Sequence, residues 1–229
     1  MMELTITEKK TTPTICLNMI VKDESHIILK TLEMLISKIR FDYWVICDTG
    51  STDNTQKIIK NFFKEKQIPG ELIEDKWEDF AHNRSLALNY AFEKTDLLLV
   101  FDADDEIIGD IQIPSEVNAD GYYLSFGEQI GVVSYKRILL INNRIKWKYE
   151  SIIHEYIVCL KPEPKMEDLF GNYCIISGKT GNRSKDPKKY LKDALVLEDG
   201  WKKAKEENDA LYLRYAFYCA NSYKDYGGL

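Results

Sequence analysis

The sequence lacks several features that would assign it to common classes of protein. Its apolar runs are far shorter than a membrane span, and its polar N-terminus has no apolar stretch typical of a secretion signal. No G-x-G-x-x-G or G-x-x-x-x-G-K motif is present, which argues against a dinucleotide oxidoreductase and a P-loop NTPase. The net charge of −6 gives no support to a nucleic-acid partner.

Cysteine and histidine are sparse and scattered. The five cysteines are an odd number with wide spacing and no C-x-x-C pair. This argues against a disulfide or zinc framework and favours a reducing compartment, so we expect a cytoplasmic protein. With 45% apolar and 30% charged residues over 229 positions, the composition is that of a globular chain with a substantial core.

The first half of the sequence alternates between strand-like and helix-like patterns. This order predicts an α/β fold with a mostly parallel sheet and helices on both faces. The predicted strands cover 14–20, 43–47, 71–74 and 97–101, and the predicted helices cover 25–39, 53–66 and 80–92. A mixed-strand half follows, with strands at 122–126, 132–141, 152–160 and 173–177, and then helices at 190–205 and 210–226.

The most informative segment is 97–106, where five apolar residues run into the carboxylates of Asp102, Asp104, Asp105 and Glu106. A buried parallel strand ends at the sheet edge where α/β proteins bind ligands. Crowded carboxylates repel one another unless a cation lies between them, and their hard oxygens suit Mg²⁺ or Mn²⁺. The segment therefore predicts a metal site, with a solvated acidic turn as the alternative.

Polar residues also follow the first and second predicted strands. Asn18 and Glu24 lie at and beyond the end of the first strand, and Asp48 opens a turn that contains Ser51 and Asp53. Because the carboxyl ends of parallel strands meet at one edge, we expect these groups to converge on the acidic segment. A carboxylate there can accept hydrogen bonds from a nucleotide base or ribose, whereas a capped turn without a ligand is the alternative.

Three further positions suit such a site. Arg84 lies near the start of a predicted helix, where a guanidinium and the positive helix end favour a phosphate. His154 and Glu155 are adjacent, which suits a metal ligand beside a general base. A helix-surface arginine and a solvent-facing histidine are the ordinary alternatives.

Taken in order, these pieces resemble a family 2 glycosyltransferase with the GT-A fold. The resembling segments are 18–24, 48–53, 80–84, 102–104 and 147–155, within roughly residues 14–180. The resemblance implies an inverting transfer of a sugar from a nucleotide-diphosphate donor, expected to be a UDP-sugar, with Mn²⁺ or Mg²⁺. It implies an acceptor hydroxyl on a glycan, lipid or protein, and neither nucleic acid nor a membrane span is expected.

The resemblance also implies roles for individual residues. Asp104 and His154 would bind the metal, and Glu155 would deprotonate the acceptor, with Glu150 as second choice and Asp105 or Glu106 as third. The donor would be bound by the other motif residues: Asn18, Glu24, Asp48, Ser51, Asp53, Arg84, Asp102 and Ala103. The second motif departs from the common family pattern, because Thr49 stands where a second acid is often found.

The C-terminal segment carries aromatics and alanines at helical spacing and resembles the first helix of a tetratricopeptide repeat. We expect a transferase domain over 1–185 and a helical extension over 186–229, which would offer a surface to a protein partner. A terminal helix packed on the domain is the alternative. The stretch 178–184, rich in glycine and basic residues, is either a loop that closes over donor phosphates or a linker.

Two other functions stay open from the sequence. A sugar-nucleotide nucleotidyltransferase also uses acidic strand ends and Mg²⁺, but such enzymes usually carry a Gly-rich loop, and no glycine lies between Asn18 and Glu24. A transferase-like scaffold without activity has no need of Asp48, Asp102 and Asp104, so their presence argues against it.

Overall fold

The computed structural model describes residues 12–227, so the predictions made for the polar N-terminus before residue 12 lie outside the described residues. The strands are β1 Ile15–Val21, β2 Tyr43–Asp48, β3 Gly70–Glu74, β4 Leu97–Val100, β5 Glu106–Ile111, β6 Gly121–Phe126, β7 Tyr135–Asn142, β8 Trp147–Glu150, β9 Tyr156–Cys159, β10 Met166–Asp168 and β11 Gly171–Ile176. The helices are α1 Ile28–Lys38, α2 Thr55–Lys66, α3 Phe80–Ala91, α4 Lys189–Glu206 and α5 Leu211–Gly227.

One large sheet organises the chain. Its strand order is β3-β2-β1-β4-β7-β6-β11-β5, with β10 paired to β6, and β8 and β9 form a separate hairpin. The strands β1 to β4 are mutually parallel, whereas β7 runs antiparallel to both β4 and β6. The predicted α/β class, with a parallel half followed by a mixed half and C-terminal helices, is therefore confirmed.

Alternating side chains of β1 explain why the sheet is covered on both faces. Leu17 and Met19 belong to the core cluster that includes α1 and α2, whereas Cys16 belongs to the cluster that includes α3. Successive residues of a strand point to opposite faces, so a strand buried on both faces reads as a continuous apolar run. This is the reason that β1, β2 and β4 were predictable from the sequence, whereas β3 is only partly buried.

The second half is less regular than predicted. The strand predicted over 152–160 is confined to β9, and the one predicted over 132–141 begins only at Tyr135 because Val132 and Val133 lie in an exposed loop. The short strands β5, β8 and β10 were not predicted. β5 begins at Glu106, the last residue of the acidic run, and the acids obscure the strand pattern there. β8 and β10 are only four and three residues long.

The C-terminal helices pack on the rest of the chain. Leu197 and Ala204 of α4 and Tyr215 of α5 form a buried cluster with Ile153, and Phe80 of α3 packs against it. No helix among residues 12–227 is long and apolar enough to cross a membrane. The boundary near residue 185 and the tetratricopeptide likeness of α5 stay predictions.

Replacing Leu32 by Ala should test the importance of the α1 face of the core. Leu32 is fully buried, and its truncation should lower the free energy of unfolding by about 2–5 kcal/mol through lost burial and a residual cavity. The matched control is Leu29→Ala one turn away, where the side chain is 45% exposed and the expected change is within about 0.5 kcal/mol. Urea denaturation of both variants measures the difference, and equal losses would contradict the assignment of this face.

Candidate active site

A cleft of about 890 Å³ opens at the carboxyl ends of β1 and β4. Seven of the residues singled out from the sequence line it: Glu24, Arg84, Asp102, Asp104, Asp105, His154 and Glu155. Its opposite wall comes from the C-terminal helices, with Lys189, Asp193, Arg214 and Tyr218 among the lining residues. Open α/β sheets bind ligands at this edge, so the expected convergence of the strand ends is largely present.

Arg84 and Arg137 enclose the carboxylate of Asp102. Arg84 Nη2 donates to Asp102 Oδ1 at 2.6 Å, and Arg137 Nη1 donates to Oδ2 at 3.3 Å. Arg84 Nε also donates to Glu155 Oε1 at 2.8 Å, and its guanidinium lies over the ring of the buried Tyr149. Burial by itself would raise the pKa of Asp102, but the two guanidinium groups hold it at about 2. Asp102 therefore remains ionised at neutral pH between the two guanidinium groups.

The other acids at this edge accept hydrogen bonds from a single segment, residues 178–185, which we call the strap. The amide of Gly178 donates to Asp105 Oδ1 at 3.0 Å, that of Gly181 to Asp104 Oδ2 at 3.0 Å, and that of Asn182 to Glu24 Oε1 at 3.1 Å. Burial and the nearby charges of Asp102 and Asp104 still raise the pKa of Asp105 to about 7. Burial, opposed by the Asn182 amide, also raises the pKa of Glu24.

Glycine at position 178 permits this close approach. A Cβ there would lie 1.9 Å from the backbone oxygen of Asp104, which is well inside van der Waals contact. The strap is therefore seated directly on the acidic edge of the sheet, although its sequence predicted only a loop or a linker. Whether it closes over donor phosphates stays a prediction.

His154 lies on the side of the cleft next to α5. Its ring stacks on Tyr218 with centroids 4.0 Å apart, and its backbone adopts a left-handed φ of 55°. Burial lowers the pKa of His154, so the neutral imidazole is favoured. Neutral imidazole is the form that can bind a metal ion.

Asp48 is the remaining acid at a strand end. It is buried at the end of β2, where Oδ1 accepts from the amides of Gly50 and Ser51 at 3.0 and 2.8 Å. The other oxygen, Oδ2, is buried and has no hydrogen-bond partner among the described residues. Buried polar atoms without a partner are rare, so this oxygen marks a place where a ligand would gain a hydrogen bond.

Three other predicted donor-binding residues serve the local structure. Asn18 is only 1% exposed. Its side-chain amide donates to the backbone carbonyls of Val45 and Ala87 and so connects β1 to β2 and α3. Ser51 Oγ accepts from the amide of Asp23, and Asp53 accepts from Thr55 and from the amide of Ser25. These contacts join the turns that follow β1 and β2, and they bring none of the three side chains into the cleft lining.

Ala103 and Glu150 also lie outside the cleft lining. Ala103 contributes its carbonyl, which accepts from Thr31 Oγ1 at 2.5 Å. Glu150 forms an ion pair with Lys148 at 2.8 Å and accepts from the hydroxyl of Tyr156. Glu155 therefore reaches the cleft and Glu150 does not, and of the third-choice bases Asp105 lines it and Glu106 does not.

Sequence reasoning missed Arg137 and Tyr149. Arg137 lies on β7 and Tyr149 on the short strand β8, and no run of acids or glycines accompanies either residue. Arg137 reaches Asp102 because β7 lies beside β4, and Tyr149 reaches Arg84 because β8 packs against α3, and both are long-range features of the fold. For Arg137 the only available signal was a basic residue on a predicted strand.

The described residues include no group of three or more His, Cys, Asp or Glu side chains that could hold a metal ion by themselves. Asp104, Asp105 and Glu24 nevertheless supply hard oxygens at one edge, and the buried Oδ2 of Asp105 has no hydrogen-bond partner. Mg²⁺-type ions are usually bound by one or two carboxylates together with substrate phosphates. The donor set fits a cation of this kind, with a ligand completing the coordination.

Replacing Arg84 by Ala should strongly destabilise the fold, because the change leaves Asp102 and Glu155 without their shared partner. Breaking a buried ion pair in this way typically costs about 3–5 kcal/mol. Arg144→Ala is the control, since that side chain is 54% exposed, pairs with Asp96 and should contribute at most about 1 kcal/mol. Chemical denaturation of the two variants compares them, and a small loss for Arg84→Ala would show that the network is not a structural support.

Comparisons with known proteins agree with this architecture. Residues 16–119 match the family model described as Glycosyl transferase family 2. A search of curated proteins finds no match. TarS 1–349 of S. aureus, solved in complex with UDP-GlcNAc, shares 14% sequence identity and a TM-score of 0.50, and the alignment covers 89% of this chain and 72% of that one. A second TarS structure gives 13% identity and a TM-score of 0.50 over 81% of this chain and 39% of that one.

Other alignments are shorter. A mannosyltransferase from Pyrobaculum calidifontis, PcManGT, solved with GDP-Man and Mn²⁺, shares 16% identity and a TM-score of 0.41 over 51% of this chain. The chain spans 36% of PcManGT and 38% of TarS 1–349 in its complex with UDP, well under two thirds of either. At these identities the similarity concerns the fold. The chain has the GT-A fold, and its residues 16–119 carry the sequence signature of glycosyltransferase family 2.

Proposed function

We propose that this protein is a glycosyltransferase that moves a sugar from a nucleotide-diphosphate donor, a UDP-sugar in the first instance, to an acceptor hydroxyl with inversion. The observation that carries the proposal is the juxtaposition of two arginines and several carboxylates in one cleft at the carboxyl ends of β1 and β4. The match of residues 16–119 to the family model described as Glycosyl transferase family 2 supports the same reaction class.

The two arginines are suited to the diphosphate of such a donor. Asp102 holds Arg84 and Arg137 side by side, and a guanidinium has more donors than one carboxylate can accept. Hydrogen bonds between guanidinium and phosphate oxygens are strong because both partners are charged. In this proposal the main role of Asp102 is to fix the two arginines that bind phosphate, rather than to contact the nucleoside.

The nucleoside would lie toward β2. The buried, unpartnered Oδ2 of Asp48 is an acceptor suited to an N–H of a base. Thr49 lines a neighbouring cavity of about 560 Å³ together with Trp77 and Phe80, whose rings contact each other edge to face. Aromatic side chains beside a polar acceptor are typical of small-molecule sites.

A divalent cation would be held by Asp104, with Glu24 or His154 as the second protein ligand. When bound, it would neutralise charge on the departing diphosphate. Replacing amide donors by a cation would also relieve the crowding of negative charge that raises the pKa of Asp105. Mn²⁺ and Mg²⁺ are the expected ions, because the ligands are mainly carboxylates.

The transfer itself needs a base and a stabilised leaving group. In the proposed reaction Glu155 accepts the proton of the acceptor hydroxyl as the acceptor oxygen bonds to the anomeric carbon of the sugar. The bond between that carbon and the donor phosphate oxygen breaks with its electron pair on the diphosphate. Arg84 and Arg137 then face the charge that develops on the leaving group.

Nucleotide binding tests the proposal directly. Titration calorimetry with UDP, GDP and CDP, in Mn²⁺ and in EDTA, should give metal-dependent binding that is strongest for UDP. Asp104→Ala should weaken that binding by roughly 10-fold or more, about 1.4 kcal/mol, while thermal unfolding remains cooperative. Unchanged UDP affinity of the variant in Mn²⁺ would refute the metal assignment, and no binding of any nucleotide by the folded protein would favour a scaffold.

Glu155→Gln tests the base. The amide keeps the size of the side chain but cannot take a proton, so transfer should fall by roughly 10²–10⁴-fold with donor affinity nearly unchanged. Glu150→Gln serves as the comparison, because Glu150 lies outside the cleft lining and its loss should leave transfer intact. Rates of nucleotide release from a donor sugar measure both. A donor affinity that collapses in Glu155→Gln would instead assign Glu155 to orienting Arg84.

A further inference from the structure

The turn that carries His154 and Glu155 needs external support. His154 adopts a left-handed φ of 55°, and Ser151 in the same turn has a φ of 78°. Residues other than glycine seldom adopt this conformation unless surrounding contacts impose it. The carboxyl group of Glu155, which reaches Arg84, is attached one residue after His154, so its position depends on how this turn is held.

Two side chains of α5 hold the turn. Arg214 Nη2 donates to the backbone carbonyl of His154 at 2.6 Å. The ring of Tyr218, one turn further along the helix, stacks on the imidazole of His154 with an interplanar angle of 14°. The backbone and the side chain of His154 are therefore both held by α5.

Arg214 also joins the two flanks of the turn. Its guanidinium lies 4.6 Å from the ring centroid of Tyr156 and 4.9 Å from that of Tyr218. Cation–π contacts of this kind are directional and become stronger when they are shielded from water. Tyr156 begins β9 directly after Glu155, so the arginine contacts the chain on both sides of that carboxylate.

The helix is also anchored by contacts that involve neither the guanidinium of Arg214 nor the stacked face of Tyr218. Tyr215 is buried with Leu197 and Ile153, and Gly200 of α4 lies so close to Ile152 that a Cβ there would be 2.5 Å from its Cδ1. Changes at Arg214 or Tyr218 should therefore leave the α4–α5 pair in place. An effect of these changes on transfer can then be distinguished from an effect on the stability of the fold.

We propose that Arg214 and Tyr218 are positioning residues that hold the His154–Glu155 turn in place beside Arg84. The C-terminal helices would then take part in the function of the cleft as well as form its wall. The inference rests on the proposed function for its consequence in transfer. It assigns the helical extension a role that neither a separate repeat module nor an inert terminal helix would have.

The experiment combines an NMR signature with kinetics. In wild type the Hε1 resonance of His154 should be shifted by the Tyr218 ring, and assignment is simple because the chain has only three histidines. Tyr218→Leu and Arg214→Ala should move that resonance and slow diphosphate release by roughly 10- to 100-fold, as expected for a small misplacement of a reacting group. Affinity for the bare nucleoside diphosphate should stay near the wild-type value.

Conservative and matched variants complete the design. Tyr218→Phe keeps the ring and should retain both the resonance and the rate. Tyr226→Leu is the control on the same helix, since Tyr226 is 48% exposed and should affect neither. The donor is whichever of UDP-glucose, UDP-N-acetylglucosamine and GDP-mannose the wild type binds best, with water as the acceptor.

The outcomes separate the two proposals. Wild-type rates in Tyr218→Leu and Arg214→Ala, or an equal slowing in Tyr226→Leu, would overturn the positioning role and leave the proposed function standing. Absence of nucleotide binding or diphosphate release in wild type would overturn the proposed function, and with it any role of α5 in transfer. A moved His154 resonance, slowed release and rescue by Tyr218→Phe would support the inference.

Discussion

The concentration of negative charge where β4 ends is the constraint on which the site depends. Three aspartates within four residues leave the sheet at a partly buried edge, where repulsion between like charges is several times stronger than in water. Their charges are compensated from parts of the chain outside β4. Asp102 receives Arg84 from α3 and Arg137 from β7, whereas Asp104 and Asp105 receive amides of the strap that follows β11. Compensating these charges thus draws together elements far apart in sequence.

The two forms of compensation differ in strength. A guanidinium brings a full positive charge, and it holds the pKa of Asp102 at about 2 against the effect of burial. A backbone amide brings only a partial charge, and the pKa of Asp105 stays raised, at about 7, despite the Gly178 amide. The edge therefore has one neutralised acid and a neighbouring group whose negative charge is only partly balanced. Such an arrangement favours cations and phosphates at adjacent positions of one cleft.

Much of the first half was predictable because burial leaves a direct mark on sequence. β1, β2 and β4 are largely buried on both faces, so they read as nearly continuous apolar runs, and acids at or beyond their ends stand out. Arg137 could not be found in this way, because its importance arises from β7 pairing with β4, and the paired residues, such as Leu99 and Leu140, are far apart in the chain. For Asn18 the prediction erred in the opposite direction, because it assigned a ligand contact to a structural residue. The position of Asn18 near a strand end indicated a ligand contact, but its side-chain amide donates to two buried backbone carbonyls. Local pattern does not distinguish these uses of a polar side chain.

The contact between Arg214 and His154 also has a consequence for biosynthesis. The two residues are 60 positions apart, and ribosomes add roughly 5–20 residues per second, so Arg214 is made about 3–12 seconds after His154. The parallel strands can pair during this interval, since all four lie before residue 101. The His154–Glu155 turn, however, lacks its support until α5 has left the ribosome. A nascent chain would therefore complete its scaffold well before it completes its cleft, which delays exposure of an assembled site until nearly all of the described chain has been made.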